Sequence, residues 1–264
     1  MLENKKEFKL ITKKNPKSLL PNALTIFGVC LGLSSIKFAL DTNYAMAVVA
    51  IGFAAILDTL DGRVARLIKG TSKVGKELDS LTDVISFGVA PGFIMYFWAL
   101  NEIGKFGWLF VLIYTVCCAL RLARFNLTTI DENESWKINF FEGVPSPAGA
   151  GLVLLPLILS LSGLIQFENY AILSSVTILI TSILMVSKFP TYSLKRIVIP
   201  RNLTIFLLLG IGVYVGFLIF YTFKTLFFTG VIYFLLIPIS YIHYKRKGKT
   251  AQLASNEEET EDVL

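Results

Sequence analysis

Four carboxylates, Asp58, Asp61, Asp79 and Asp83, fall in one run, DTLDGRVARLIKGTSKVGKELDSLTD, flanked by long apolar stretches. An ionised aspartate at the centre of a membrane helix costs roughly 2.5–3.5 kcal/mol on insertion scales, so several together imply a water-filled, cation-holding cavity facing the inside of a bundle. On helices, the i,i+3 spacing of Asp58 and Asp61 and the i,i+4 spacing of Asp79 and Asp83 put each pair on one face. Two facing helices then offer four oxygen ligands to one site, which suits hard divalent cations such as Mg²⁺ or Mn²⁺. Gly62 and Ala65 leave room beside Asp61 for a flat ligand, and Arg66 supplies a planar cation suited to phosphate. The chemistry indicated is a metal-diphosphate pocket. The bland alternative is that these carboxylates and Arg63, Arg66, Lys69, Lys73 and Lys76 merely flank a solvated loop.

The elements that must hold these residues are membrane helices. Of 264 residues, 54% are hydrophobic and only 17% charged, with a mean hydropathy of +0.65. This composition predicts an all-α polytopic membrane bundle. Apolar stretches near the length of a bilayer crossing occur at 22–40, 44–60, 84–100, 106–121, 148–165, 170–186, 203–223 and 226–244, about eight spans. The first follows a basic segment and precedes seven more spans, so it reads as a retained helix and not a cleaved signal.

Charge sets the expected orientation. Of the 25 Lys and Arg residues, 22 fall on one side of these spans, leaving Lys37, Lys105 and Lys224 for the other. The positive-inside rule then places both termini and the aspartate run at the cytoplasmic face of the inner membrane. The net charge of +6 follows from this bias and from attraction to anionic lipid, and gives no reason to invoke nucleic acid. Cys30, Cys117 and Cys118 lie in apolar spans without metal-type spacing and read as buried reduced thiols. His243 sits at the end of the last span as an interfacial side chain, and the acidic end EEETED reads as solvated.

Written as D-x2-D-G-x2-A-R-x8-G-x3-D-x3-D, the run formed by Asp58, Asp61, Gly62, Ala65, Arg66, Gly75, Asp79 and Asp83 resembles the signature of the CDP-alcohol phosphatidyltransferases at every fixed position. The resemblance implies two divalent cations held by Asp58, Asp61 and Asp79, with Asp83 as general base and further ligand. It also implies contacts from Gly62, Arg66 and Ser72 to CDP-diacylglycerol. The PN-x-LT stretch opening the first span adds Asn22 and Thr25 to that donor site. A basic segment at 1–21, a catalytic membrane domain at 22–200, two additional helices at 201–244 and a charged tail at 245–264 are the expected organisation, and a homodimer is the expected assembly.

Three further segments, ALRLARFN, FFEGVPSPAGAG and LMVSKFPTYSLK, look in order and spacing like those of phosphatidylserine synthases of this type. That likeness implies L-serine as acceptor and transfer of the phosphatidyl group to its hydroxyl, with release of CMP. Serine carries a carboxylate that needs a counter-charge in a partly dehydrated place, for which Arg121 and Arg124 are the first candidates and Lys188 and Lys195 the next. Their alternative role is positive-inside anchoring. Pro145 and Pro147 keep the EGVPSPAG loop from becoming helix too early, and Ser146 either touches a ligand or caps that helix, capping being the favoured reading. A related enzyme with glycerol 3-phosphate or inositol phosphate as acceptor is the nearest rival. A membrane transporter is the distant one, disfavoured because the aspartates cluster at one interface and no internal repeat is evident.

Overall fold

Backbone groups in lipid have no water to bond, so a spanning chain closes its hydrogen bonds within helices. The computed structural model describes residues 19–68, 73–127, 140–192 and 203–261, which are helical almost throughout. Helix α1 (Leu19–Leu40) turns tightly into α2 (Tyr44–Leu67), capped by the Asn43 side chain accepting from the Met46 amide. Thr42 in that turn takes a left-handed φ of 59°, and Lys37 pairs with Asp41 beside it. Helix α3 (Lys73–Asp83) runs into a π-helical stretch (Val84–Val89) and on into α4 (Ala90–Trp98). A 3-10 turn (Leu100–Ile103) ending at Gly104, with φ of 64°, reverses the chain into α5 (Lys105–Leu127).

Helices α6 (Ser146–Val153) and α7 (Leu155–Ser162) follow one another directly, with a break at Leu154. Pro156 has no N–H to continue the ladder, which accounts for the break. After Gly163 and an Asn169 cap come α8 (Tyr170–Val186), α9 (Thr204–Phe220) and α10 (Thr222–Glu261). The sequence reading did not anticipate the one sheet-like feature among the described residues. Short strands β1 (Phe140–Glu142) and β2 (Pro190–Tyr192) pair antiparallel, with Phe141 opposite Thr191.

Among the described residues, five helices are long and apolar enough to cross a membrane: Leu19–Leu40, Tyr44–Leu67, Val74–Trp98, Lys105–Leu127 and Thr222–Arg246. The shorter apolar helices α8 and α9 and the α6–α7 pair complete the expected polytopic bundle. Its core draws Phe87, Ile94, Met95, Tyr114, Leu157, Ile178 and Met185 from the π-helical stretch, α4, α5, α7 and α8. Outward Leu, Ile and Phe side chains are exposed, as a lipid-facing shell requires, and α9 buries none of its residues.

The π-helical stretch sits directly after Asp83 and is held from both sides. Tyr114 of α5 donates its hydroxyl to the Phe87 carbonyl at 2.6 Å, and Ser86 donates to the Gly28 carbonyl of α1 at 3.3 Å. Gly32 makes this approach possible, since a Cβ there would lie 2.5 Å from the Ser86 Oγ. The α1 backbone is thereby locked beside the segment that carries the last aspartate of the run.

Candidate active site

All four aspartates gather in one place, Asp58 and Asp61 from the C-terminal half of α2 and Asp79 and Asp83 from the last turns of α3. Asp58, Asp61 and Asp79 each offer a carboxylate oxygen, and these atoms lie within 4.8 Å of one another. Asp61 is buried, at 4% exposure, and its Oδ2 accepts a 2.7 Å hydrogen bond from Thr25 Oγ1. Thr25, expected among the donor-lipid contacts, thus reaches from α1 to hold a carboxylate of the cluster. Asn22 is half-buried one turn earlier on the same helix.

Asp83 adjoins the three-oxygen cluster through Asp58. Its carboxyl lies against that of Asp58, but its Oδ2 accepts a 3.0 Å hydrogen bond from Ser146 Oγ. Ser146 in turn accepts from Arg121 Nη1 at 3.0 Å. Ser146 and Arg121 are 1% and 7% exposed, and Asp83 Oδ1 and Arg121 Nε are buried without a hydrogen-bond partner. The expected capping role of Ser146 gives way here. Pro145 occupies the N-cap of α6 with no side-chain cap bond, and the serine hydroxyl is spent on Asp83 and Arg121 instead.

The turn that aims Ser146 depends on Gly143. Its φ is 74°, and a Cβ would sit 2.6 Å from the Met185 carbonyl oxygen. The Gly143 amide donates to the Phe189 carbonyl at 2.9 Å, while Thr191 Oγ1 donates to the Gly143 carbonyl at 2.8 Å. Together with the β1–β2 pairing, these bonds tie the entry of α6 to the exit of α8.

The two arginines part company. Arg124 donates from Nη1 to the Val186 carbonyl at 2.8 Å and from Nη2 to the Ser187 carbonyl at 3.2 Å. It caps the C-terminal end of α8, where carbonyls lack helical partners and a cation is favoured. Arg121 alone of the pair is hydrogen-bonded to the chain that reaches Asp83. Lys188 is exposed in the segment before β2; Ser72 and Lys195 lie outside the described residues. On the donor side, a Cβ at Gly62 would meet nothing within 4 Å, and Arg66 lies back along α2 with Nε donating to the Gly62 carbonyl at 3.0 Å. The open flank beside Asp61 is thus edged by a guanidinium.

Three convergent carboxylates make a hard, all-oxygen donor set of one charge sign, which fits a divalent cation such as Mg²⁺ or Mn²⁺. A known family covers the residues that build this site: the CDP-alcohol phosphatidyltransferase model matches residues 18–187. The chain belongs to the CDP-alcohol phosphatidyltransferase family. Residues 202–238 match a second profile, CDP-alcohol phosphatidyltransferase 2. Among curated family members, the CDP-diacylglycerol--serine O-phosphatidyltransferase of Mycobacterium leprae is 39% identical over 185 residues, 70% of this chain and 61% of that protein. The protein of the same name from Helicobacter pylori strain 26695 is 40% identical over 194 residues, covering 74% of this chain and 79% of the relative. One from Methanocaldococcus jannaschii is 36% identical over 147 residues, 55% of this chain and 64% of the relative. The chain therefore spans about three-fifths of the length of the mycobacterial family member, 61%, and about four-fifths of the Helicobacter one, 79%.

Proposed function

We propose that this CDP-alcohol phosphatidyltransferase transfers the phosphatidyl group of CDP-diacylglycerol to the hydroxyl of L-serine, giving phosphatidylserine and CMP. The observation that carries the choice of acceptor is the pair of buried, unpartnered atoms on either side of Ser146. Asp83 Oδ1 is an acceptor without a donor, and Arg121 Nε is a donor without an acceptor. Serine brings complements to both, a hydroxyl for the first and a carboxylate for the second. Buried polar groups without partners are costly, so a ligand that satisfies both is favoured. The names of the relatives point to the same acceptor.

Asp58, Asp61 and Asp79 hold the metal, which when bound neutralises the diphosphate and stabilises the leaving CMP. Arg66 and the open flank at Gly62 receive the diphosphate, with Asn22 and Ser72 completing the donor side. Asp83 takes the proton from the serine hydroxyl, which attacks the phosphorus bearing the diacylglycerol. The bond from that phosphorus to the bridging oxygen breaks, and CMP leaves with the electron pair. Arg121 orients the serine through its carboxylate. Arg124 is the structural member of the pair, and Lys188 and Lys195 are the next candidates after Arg121 for the serine carboxylate.

Residues 22–200 form the catalytic membrane domain in this reading, with α9 and the membrane part of α10 as an addition to it. The charge bias supports placing both termini and the site at the cytoplasmic face of the inner membrane, where serine and CMP exchange with solution. A homodimer is the assembly that family resemblance favours. The deciding experiment is to incubate purified protein with CDP-diacylglycerol, Mg²⁺ or Mn²⁺ and labelled serine, glycerol 3-phosphate or inositol phosphate, and to identify the lipid formed. Phosphatidylserine as the main product supports the proposal; preference for a phosphorylated alcohol refutes the acceptor.

A further inference from the structure

We infer that Ser146 is a positioning residue that decides which oxygen of Asp83 meets the acceptor and keeps Arg121 from pairing directly with that aspartate. The inference rests on the transferase reading above and deepens it.

Hydrogen-bond chemistry fixes the direction of the chain. Arginine has donors and no acceptor, so the 3.0 Å contact with Arg121 Nη1 uses a lone pair of the Ser146 oxygen. The single hydroxyl proton is then left for Asp83 Oδ2, also at 3.0 Å. One carboxylate oxygen is thereby engaged, and the other, Oδ1, is buried without a hydrogen-bond partner, in a carboxyl that lies beside that of Asp58. An aspartate carboxyl turns easily about its last bond. A donor fixed on one oxygen stops that rotation and presents the bare oxygen at one place.

Ser146 is suited to this task by where the backbone puts it. Pro145 holds the N-cap of α6 with no side-chain cap bond, so the serine hydroxyl has no capping duty. The Gly143 turn and the bond from Thr191 to the Gly143 carbonyl fix the approach of the loop. The hydroxyl also acts as a spacer. Without it, the Arg121 guanidinium and the Asp83 carboxylate are two opposite charges in a buried place with nothing between them, and they close on each other. Asp83 then loses its bare oxygen and Arg121 its unpartnered Nε, so the proton acceptor and the carboxylate holder fail together.

In the transfer step, the Ser146 proton stays on Ser146. The substrate hydroxyl gives its proton to Asp83 Oδ1, its oxygen bonds to the phosphatidyl phosphorus, and CMP departs with the electrons of the broken phosphorus–oxygen bond. Ser146 acts only through Asp83 and Arg121.

The test compares Ser146→Ala, Ser146→Cys and Ser146→Thr in full-length protein, using the alcohol that the wild type converts best. Alanine and cysteine both lose a strong donor, although cysteine fills the space of serine. In both, kcat is expected to fall about 10- to 100-fold, with the KM for CDP-diacylglycerol within about twofold of wild type as a check on folding. Threonine keeps the hydroxyl and is expected to recover most of the rate. On an Asp83→Asn background, where the carboxylate is already gone, Ser146→Ala is expected to cost less than about twofold more. A role in packing alone leaves cysteine active and makes the double mutant additive; either result overturns the inference. A wild type that forms no phosphatidyl product from any alcohol overturns the transferase reading, and this role with it. Product formation with unchanged kcat in Ser146→Ala and Ser146→Cys overturns the Ser146 role alone.

Discussion

Thr25→Val replaces a hydroxyl by a methyl of nearly the same shape on α1 while leaving every carboxylate in place. In the native protein Thr25 Oγ1 donates to Asp61 Oδ2 at 2.7 Å, between two residues that are 5% and 4% exposed. A hydrogen bond to a charged group contributes about 1.5–3 kcal/mol, equivalent to roughly 10–150-fold in an equilibrium constant. The same hydroxyl lies 3.0 Å from the Pro21 carbonyl, a second acceptor that shares its single proton and draws the effect toward the lower end. Loss of a group that orients a metal ligand costs about 10–100-fold in metal affinity, which agrees with that range. The expected outcome is a rise of about 10-fold in the Mg²⁺ or Mn²⁺ concentration giving half-maximal turnover, with kcat near wild type at saturating metal. The assay is phosphatidylserine formation across a metal titration at saturating CDP-diacylglycerol and serine. Metal dependence identical to wild type, or a loss of kcat that no metal concentration restores, refutes the support of Asp61 by Thr25.

Asp58→Ala, Asp61→Ala and Asp79→Ala are each expected to abolish turnover in protein that still inserts in membranes, and EDTA is expected to mimic them; full activity after chelation removes the metal reading. Arg121→Ala is expected to weaken serine use by roughly 10–150-fold, the value of a charge-assisted hydrogen bond, with far less change in the KM for CDP-diacylglycerol. Arg124→Ala, which uncaps α8, is expected to lower the thermal midpoint while leaving the serine KM near wild type, and serine kinetics on both variants separates the two roles. For orientation, a cysteine replacing Lys105 in a cysteine-free background is expected to react with impermeant thiol reagents in intact cells while one replacing Lys73 is shielded; the reverse pattern turns the protein over.

The helices were legible because lipid leaves a chain few choices. Long apolar runs must be helical, and the stretches expected to span overlie α1, α2, the π-helical stretch with α4, α5, α6 with α7, α8, α9 and α10, although the third candidate crossing starts ten residues earlier than expected, at Val74. The aspartate run was legible for a related reason, since buried carboxylates at helical spacing have little structural use. What the sequence hid was which hydroxyls serve the carboxylates. Thr25 and Ser146 read as a ligand contact and a cap because threonine and serine do both jobs commonly, and only the packing of α1 on α2 and of α6 beside α5 turns their side chains onto Asp61 and Asp83. Arg121 and Arg124 were equally inseparable: their helical spacing marks a shared stretch of α5, but only the end of α8 reveals which one is engaged by carbonyls. The π-helical stretch after Asp83 had no sequence signal beyond an unremarkable VISFGV.

The placement of the aspartates on consecutive helices has a consequence for how the enzyme is made. By the time α3 has left the ribosome and entered the membrane, Asp58, Asp61 and Asp79 are all present, and Thr25 has preceded them on α1. The hydrogen-bond chain to Asp83 comes from later segments: Ser146 opens α6, and Arg121, bonded to Ser146, lies on α5. The carboxylate cluster is thus complete in an early intermediate of insertion, whereas the proposed acceptor end waits for α5, α6 and α7 and for α8 to lead into the strand pair. In the proposed reading, a nascent chain halted after α4 carries the three clustered carboxylates and lacks Arg121 and Ser146, so the order of synthesis would withhold turnover until the bundle has closed.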